Sequence, residues 1–358
     1  MKGPFGFFIH PLNYNDLYRV MPELVNKRPD FIEGILRWID PFVAAEVEIK
    51  TKTTDVVFGM FIVIPLLAKQ FIEDEKLAVN KLIKGSNLAV KLGTKILGLG
   101  AFTSIVGRAG LTLVNLFKER LYFTSGASYT VASSLEVIDH NLRRLNLNKK
   151  ELVVSVIGAT GAIGKAISHL IYKDYKKIFL VARNKSRLSS LKNEILLNDP
   201  YFNKENIIVS TSISEATKVS DVVIIATSSP KELININDLK YNSIVCDISM
   251  PHNVSKEVIE RRKDVIVIEG GIIRLPSTPN FRKLFNNISF EDIIGYPKNN
   301  VLACMAETII LTAENINENY SIGRNINSDK IIKIKQLADK HGFIVENSIL
   351  KKTIDLRR

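Results

Sequence analysis

The sequence predicts an α/β protein with a central Rossmann-like doubly wound parallel sheet domain, an α/β N-terminal domain and a mostly helical C-terminal segment. Three observations carry this. Short β-branched runs recur through the middle of the chain with helical segments between them, the pattern of a parallel sheet with crossover helices. A glycine turn follows the first of those runs and opens a helix. On either side, longer stretches carry apolar residues at helical spacing.

The central runs are Leu152–Ile157, Ile178–Ala182, Ile207–Ser210, Val222–Ala226, Ile244–Asp247 and Val265–Ile268. Helical patterns at Ile163–Ile171 and Arg187–Leu197 separate the first three. The sheet domain is expected over residues 146–276. Before it, residues 1–145 form an N-terminal substrate domain, with strand signals at Asp55–Ile64 and Val47–Lys50. Helices are expected there at Lys69–Leu92, Thr103–Leu121 and Ser128–Leu145; the last spaces Val131, Leu135, Ile138, Leu142 and Leu145 on one face. Residues 277–358 start with a loop rich in Pro, Asn and Phe. Helices follow at Val301–Glu314 and Asp329–His341.

The 358 residues suffice for two or three domains. A 46% hydrophobic and 24% charged composition is that of a globular enzyme with a substantial core. The formal charge of +12 favours an anionic partner: nucleic acid, lipid or an acidic protein. Two cysteines, Cys246 and Cys304, build no disulfide framework, so a reducing cytoplasm is expected. The five histidines lack metal-site spacing, and no metal is expected. The start shows no secretory pattern. The greasiest stretch, Val56–Ala68, is too short to span a bilayer and reads as a core strand leading into a helix, though a peripheral membrane contact fits the composition.

The glycine turn reads Val153-Val154-Ser155-Val156-Ile157-Gly158-Ala159-Thr160-Gly161-Ala162-Ile163-Gly164. Gly158 permits the tight turn, Gly161 lets the backbone approach a pyrophosphate, and Gly164 lets the helix pack on the strand. Thr160, Ala162 and Ile163 complete the loop and the helix start whose free amides hold phosphate. After the second strand come Arg183, Asn184 and Arg187, where an NAD-preferring site carries Asp or Glu. A guanidinium there grips a 2′-phosphate, so NADPH is the expected cofactor. Ala226, Thr227 and Ser228 end a strand and are expected beside the nicotinamide ribose. Asp247 ends the next strand.

Cys304 follows Asn300, a candidate N-cap, which places the thiol in the first turns of a helix where the dipole favours a thiolate. A thiolate is the nucleophile of thioester exchange. A lone cysteine among Leu, Ala and Met also suits a small buried hydrophobe, the role Cys246 fits inside its strand. Glu307, one turn on, is placed to orient a neighbour or accept a proton, or simply to lie on the helix surface.

Several segments resemble, in the same order along the chain, the long-chain fatty acyl–acyl-carrier-protein reductases of cyanobacteria. They are Gly100-Ala101-Phe102-Thr103-Ser104-Ile105, Phe123-Thr124-Ser125-Gly126, the Gly158–Gly164 turn, Val181-Ala182-Arg183-Asn184, Ala303-Cys304-Met305-Ala306-Glu307, Ser321-Ile322-Gly323-Arg324-Asn325 and Lys340-His341-Gly342-Phe343. The resemblance implies NADPH-dependent reduction of a long-chain acyl thioester to a fatty aldehyde, with Cys304 carrying the acyl group. Where that family commonly has Asn-Thr-His-Thr, this chain has Ala127, Ser128, Tyr129 and Thr130, so Tyr129 takes the histidine's place or the proton-transfer role lies elsewhere. Ser104, Thr103, Ser125 and Tyr129 are candidate donors to the oxyanion, and His10 a candidate acid. The implied partner is an acidic acyl carrier protein, or acyl-coenzyme A. Lys76, Lys81, Lys84, Lys91, Lys95, Arg143 and Arg144 are candidate contacts for the carrier. Nucleic acid is not expected, since no recognised binding module appears. Two alternatives stand beside this reading: a shikimate-type NADP-dependent dehydrogenase of a small alcohol, and a non-catalytic NADP-binding regulatory protein.

Overall fold

The computed structural model describes residues 1–284, 289–297 and 299–350. The chain divides into two units. The first comprises Met1–Tyr129, Ile273–Gly323 and Asp329–Ile344, and the second Thr130–Ile272, Arg324–Ser328 and the residues from Val345 onward.

The first unit is built on a mixed sheet. Its strands are β1 (Lys2–Ile9), β2 (Phe42–Lys50), β3 (Val56–Val63), β4 (Ile96–Leu99), β5 (Tyr122–Thr124) and the edge strand Asn280–Lys283. Their order is Asn280–Lys283, β2, β3, β1, β4, β5. β1 runs parallel to β3 and β4, and β5 parallel to β4, while β2 is antiparallel to β3. Phe5, Phe8, Phe61, Ile62 and Leu97 are fully buried, because a sheet covered on both faces leaves its central strands no contact with water. Val56–Ala68 is indeed a core strand followed by a helix start, since Val57, Ile64 and Leu66 are also fully buried.

Two expected helices are broken. The Lys69–Leu92 stretch forms helices Ala68–Glu73 and Glu75–Lys91, divided at Asp74, whose carboxylate caps the second by accepting from Leu77 N. Thr103–Leu121 forms only short pieces, because Gly107 and Gly110 turn left-handed at φ +62° and +82°.

The second unit is a parallel sheet of β6 (Val153–Ile157), β7 (Lys177–Val181), β8 (Ile207–Ser210), β9 (Val222–Ile225), β10 (Ile244–Asp247) and β11 (Ile266–Glu269). The spatial order β8-β7-β6-β9-β10-β11 is the doubly wound arrangement 3-2-1-4-5-6, with the chain reversing direction between β6 and β9. An antiparallel strand, Ser348–Ile349, pairs with β11. These strands match the expected β-branched runs to within a residue or so at either end.

The divisions differ from those expected at 145/146 and 276/277. The first boundary falls at Tyr129/Thr130, inside the helix Ala127–Arg144, and the segment from 277 onward contributes to both units. The reason is its composition. The helix Ala303–Ala313 is apolar almost all round, and such a helix is stable only when enclosed. It lies across β1 and β4 as core of the first unit. Residues 351–358 of that segment lie outside the described residues. Among the described residues no helix is long and apolar enough to cross a membrane.

Candidate active site

In the first unit the site is organised around the start of the helix Ala303–Ala313. The helix comes close to the sheet because β4 carries Gly98, where a Cβ would sit 2.3 Å from Thr308 Oγ1. Gly98 pairs with Thr124 of β5. Thr124 in turn donates to Oε1 of Glu307, which is fully buried. Glu307 also accepts from Tyr129 N at 2.8 Å and from Ser321 Oγ at 2.9 Å. Around it, Ser128 N donates to Ser321 Oγ at 3.0 Å and Gly126 N to Thr124 Oγ1 at 3.0 Å. Tyr320 N reaches Phe123 O at 2.8 Å. Burial pushes the Glu307 carboxyl up, and the hydrogen bonds from Thr124, Tyr129 and Ser321 oppose this. Glu307 therefore orients its neighbours rather than lying on a helix surface.

Cys304 sits against this knot. Gly126, at φ +73°, is so close that a Cβ would fall 2.0 Å from Cys304 Cα. The expected N-cap is corrected: Asn300 begins a short strand, Asn300–Leu302, and the helix begins at Ala303 with no side-chain cap. Cys304 thus occupies the second helical position, half-buried. Burial is the largest influence on its thiol and pushes it up to about 12, aided by the charge of Glu307. The amides of Met305 and Cys304 pull the other way, as the dipole argument requires. They do not win, so the resting group is a thiol and the expectation of a ready thiolate is overturned.

The hydroxyl candidates are otherwise engaged. Ser104 Oγ donates to Ala101 O at 2.7 Å, Thr103 Oγ1 to Gly100 O at 2.8 Å, and Ser125 Oγ to Ser321 O. Their protons are committed to carbonyls within the fold. Tyr129 is fully buried and its backbone amide belongs to the Glu307 cluster. His10 is no acid. Its Nδ1 pairs with Pro11 O at 3.0 Å, its Nε2 accepts from Phe102 N at 3.2 Å, and the ring lies 4.6 Å from that of Phe71. Burial lowers its pKa to about 4, so it is neutral at ordinary pH. Lys81 is likewise no carrier contact: it is buried and donates to Leu36 O and Ile39 O. Lys76, Lys84, Lys91 and Lys95 are exposed on the first unit, and Arg143 and Arg144 on the second.

The second unit holds the glycine turn at the reversal point of its sheet. Gly158 has φ +85°, and a Cβ there would fall 2.3 Å from Ala226 O. A Cβ on Gly164 would fall 2.3 Å from Gly158 O. Gly161 N donates to Gly158 O at 2.9 Å and precedes the helix Ala162–Ile171, which has no side-chain cap. The turn therefore presents free amides from Ala162 and Ile163, with Thr160 half-buried beside them. Asn184 caps the helix Lys185–Asn198, accepting from Arg187 N at 2.9 Å. Arg183 and Arg187 are exposed, and among the described residues neither guanidinium has an ion-pair partner. Thr227 N donates to Ser249 Oγ at 3.2 Å and Thr227 Oγ1 to Asn253 Oδ1 at 2.5 Å; Ser228 beside it is exposed. The turn, the uncapped helix and the free guanidinium groups fit a phosphorylated dinucleotide.

Residues 140–269 match the sequence pattern of the family described as Shikimate / quinate 5-dehydrogenase. The second unit is a Rossmann-like NAD(P)-binding domain. Over its greater length the chain is 27% identical to aminotransferase PigE of Serratia sp., covering 95% of this chain and 39% of that protein. It is also 27% identical to the long-chain acyl-[acyl-carrier-protein] reductase of Synechococcus elongatus, covering 87% of this chain and 90% of that one. A glutamyl-tRNA reductase of Clostridium perfringens is 29% identical over 111 residues, 25% of its own length. The chain thus spans well under half of the PigE protein and a quarter of the glutamyl-tRNA reductase. Among solved structures, L-tryptophan dehydrogenase from Nostoc punctiforme superimposes with a TM-score of 0.42 at 11% identity, covering 95% of this chain and 80% of that one.

Residue spacing carries no sign of the Glu307 cluster, nor of the setting of Asp247, which is fully buried and accepts from three amides of the following loop. Only the resemblance grouped Thr124, Glu307 and Ser321. Among the described residues no group of His, Cys, Asp and Glu could hold a metal ion.

Proposed function

We propose that this protein reduces a long-chain fatty acyl thioester, carried by an acyl carrier protein or coenzyme A, to the aldehyde through an acyl group on Cys304. The observation that carries the reading is the Glu307 knot. It joins Phe123–Gly126, Ala303–Glu307 and Ser321, segments that resemble the acyl-carrier-protein reductases, around the one cysteine that is not fully buried. The Synechococcus relative, matched over most of both chains, supports the same reading.

In the first step the Cys304 sulfur attacks the thioester carbonyl as its proton is lost, and the carrier thiolate leaves with that proton. A thiol near 12 makes this concerted transfer more favourable than a preformed thiolate at neutral pH. The oxyanion is met by the amides of the uncapped helix start, Cys304 and Met305, because the neighbouring hydroxyls already donate elsewhere. Glu307 holds Gly126 against Cys304 through Thr124 and so fixes the sulfur. Gly158, Gly161, Gly164 and the helix start at Ala162 and Ile163 would hold the pyrophosphate of NADPH, and Arg183 with Arg187 its 2′-phosphate. Bound NADPH supplies the hydride. Collapse of the hemithioacetal on Cys304 then releases the aldehyde and the Cys304 thiolate, which takes a proton from solvent to restore the thiol.

The test is intact mass after mixing with palmitoyl-coenzyme A or palmitoyl carrier protein. A single acyl adduct that Cys304→Ala abolishes and NADPH discharges as aldehyde is expected. The match of residues 140–269 favours a second reading, a dehydrogenase of a small hydroxy acid or alcohol. Undiminished NADP-linked activity of Cys304→Ala on such an alcohol would select it.

A further inference from the structure

The second unit contains an acid–imidazole cluster that the proposed chemistry does not use. Asp247 ends β10, fully buried, and accepts from Ser249 N at 2.9 Å, Asn253 N at 2.7 Å and Val254 N at 3.0 Å. Glu269 ends β11 as its register partner and is almost fully buried. His252 lies across both. Its Nε2 is 2.9 Å from Glu269 Oε1, and its Nδ1 is 3.8 Å from Asp247 Oδ2. That Nδ1 is buried without a hydrogen-bond partner in the described structure. A neutral ring donating to Glu269 would turn a lone pair toward Asp247, whereas an imidazolium is attracted to both.

The loop that carries His252 is tied to the end of β9. Ser249 Oγ accepts from Thr227 N, Asn253 Oδ1 accepts from Thr227 Oγ1, and Asn253 Nδ2 donates to Ser229 O at 3.0 Å. In a sheet of this order the half beyond the reversal, β9 to β11, receives the nicotinamide half of a dinucleotide. We propose that His252 is a positioning residue for the cofactor: as a bridge between Glu269 and Asp247 it holds the Ser249–Asn253 loop, and through Asn253 the Thr227 loop that meets the nicotinamide ribose. The inference rests on the reading of this unit as an NADPH site.

The acidic groups within reach of the ring are Asp247 on β10 and Glu269 on β11, with Ser348 Oγ 3.4 Å from Glu269 and Cys246 the residue before Asp247 on β10. Burial opposes the charge on His252. The hydrogen bond to Glu269 and its charge, with Asp247 behind, nevertheless raise the pKa above that of free histidine. Burial pushes the Cys246 thiol far up, so it stays neutral, and burial also raises Asp247. The bridge is therefore present at low pH and lost as pH climbs through the raised value. Its loss removes the contact that ties His252, and with it the Ser249–Asn253 loop, to Glu269 at the end of β11.

The experiment is equilibrium binding of NADPH to the full chain, followed by nicotinamide fluorescence from about pH 6 to about pH 9. The wild type should weaken by roughly tenfold as pH rises, the scale of one charge-assisted hydrogen bond. His252→Gln should bind weakly at every pH, and His252→Arg should bind tightly with little pH dependence. The wild-type titration needs no variant, so a misfolded Gln protein leaves the question answerable. Tight, pH-independent binding by the wild type overturns the inference alone. Absence of NADPH binding by the wild type at any pH removes the cofactor reading and the inference together.

Discussion

The carboxylate of Glu307 accepts a hydrogen bond from the backbone amide of Tyr129 at 2.8 Å, across 178 residues of sequence. Through it the helix that bears Cys304 is fastened to the first turn of the helix Ala127–Arg144, which follows β5. A buried charge held by three donors is strongly destabilising to remove in part, because the donors are left without partners.

Glu307→Ala should therefore lower unfolding stability by about 3 kcal/mol, read from urea denaturation. Glu307→Gln keeps the volume but sets an amide group against a donor, and should cost about half as much. Both should reduce acyl transfer to Cys304 under conditions where the protein is still folded. Full acyl-enzyme yield in the folded Gln variant would show that the knot does not position the sulfur.

Gly126 has no room for a side chain. Its φ is +73°, and a methyl group there would fall 2.0 Å from Cys304 Cα, so backbone and space both oppose one. Gly126→Ala should cost about 2–4 kcal/mol from overpacking and left-handed strain combined. Gly93, at φ +78° with open space around it, supplies the control. Gly93→Ala should show only the conformational part, about 1 kcal/mol. Equal losses at the two positions would mean that Gly126 does not press on Cys304.

Cys304 should react with iodoacetamide only slowly at neutral pH. With its thiol near 12, the rate should climb about tenfold per pH unit from pH 7 to pH 10 without a plateau. Glu307→Gln removes the nearby negative charge and should raise the neutral-pH rate. Cys246, fully buried, should stay unlabelled. A plateau below pH 9 in the wild type would contradict the burial of the sulfur.

His10 makes stability fall on the acid side. Its pKa drops from 6.5 to about 4 on folding, so its contribution is complete above 6.5 and is lost as pH falls through 4. The loss amounts to at most roughly 3 kcal/mol. In urea midpoints measured from pH 7 to pH 4, His10→Gln should show a shallower decline than the wild type. Parallel declines would place the acid sensitivity in other groups.

Much of the second unit was legible because its strands are short β-branched runs, and the buried faces of a parallel sheet demand such runs. The first unit was less so. β1 carries Gly3, Pro4 and Gly6, residues that give no strand signal, although the strand lies between β3 and β4. β4 is four residues beside a glycine and carries no alternation. The left-handed glycines at 107 and 110 defeated a helix that periodicity alone supports. At the site, Cys304 and the glycine turn were visible as local motifs. The surroundings of Ser104 and His10 were not legible, because a side chain's partners are set by packing: Ser104 Oγ donates to Ala101 O, and the ring of His10 lies 4.6 Å from that of Phe71. Tyr129 enters the site through its amide, a group that every residue carries and no sequence pattern can mark.

The interleaving of the two units has a bearing on biosynthesis. The chain leaves the first unit after Tyr129, returns at Ile273, departs for Arg324–Ser328 and crosses back once more before Val345. A ribosome has therefore to deliver residues 345–350 before the edge of β11 can be covered by Ser348–Ile349. Excised fragments such as 130–272 would expose that bare edge, and edges of that kind invite association between chains. The residues of the first unit are all made once Ile344 has been added, whereas the edge of the second waits for Ser348–Ile349.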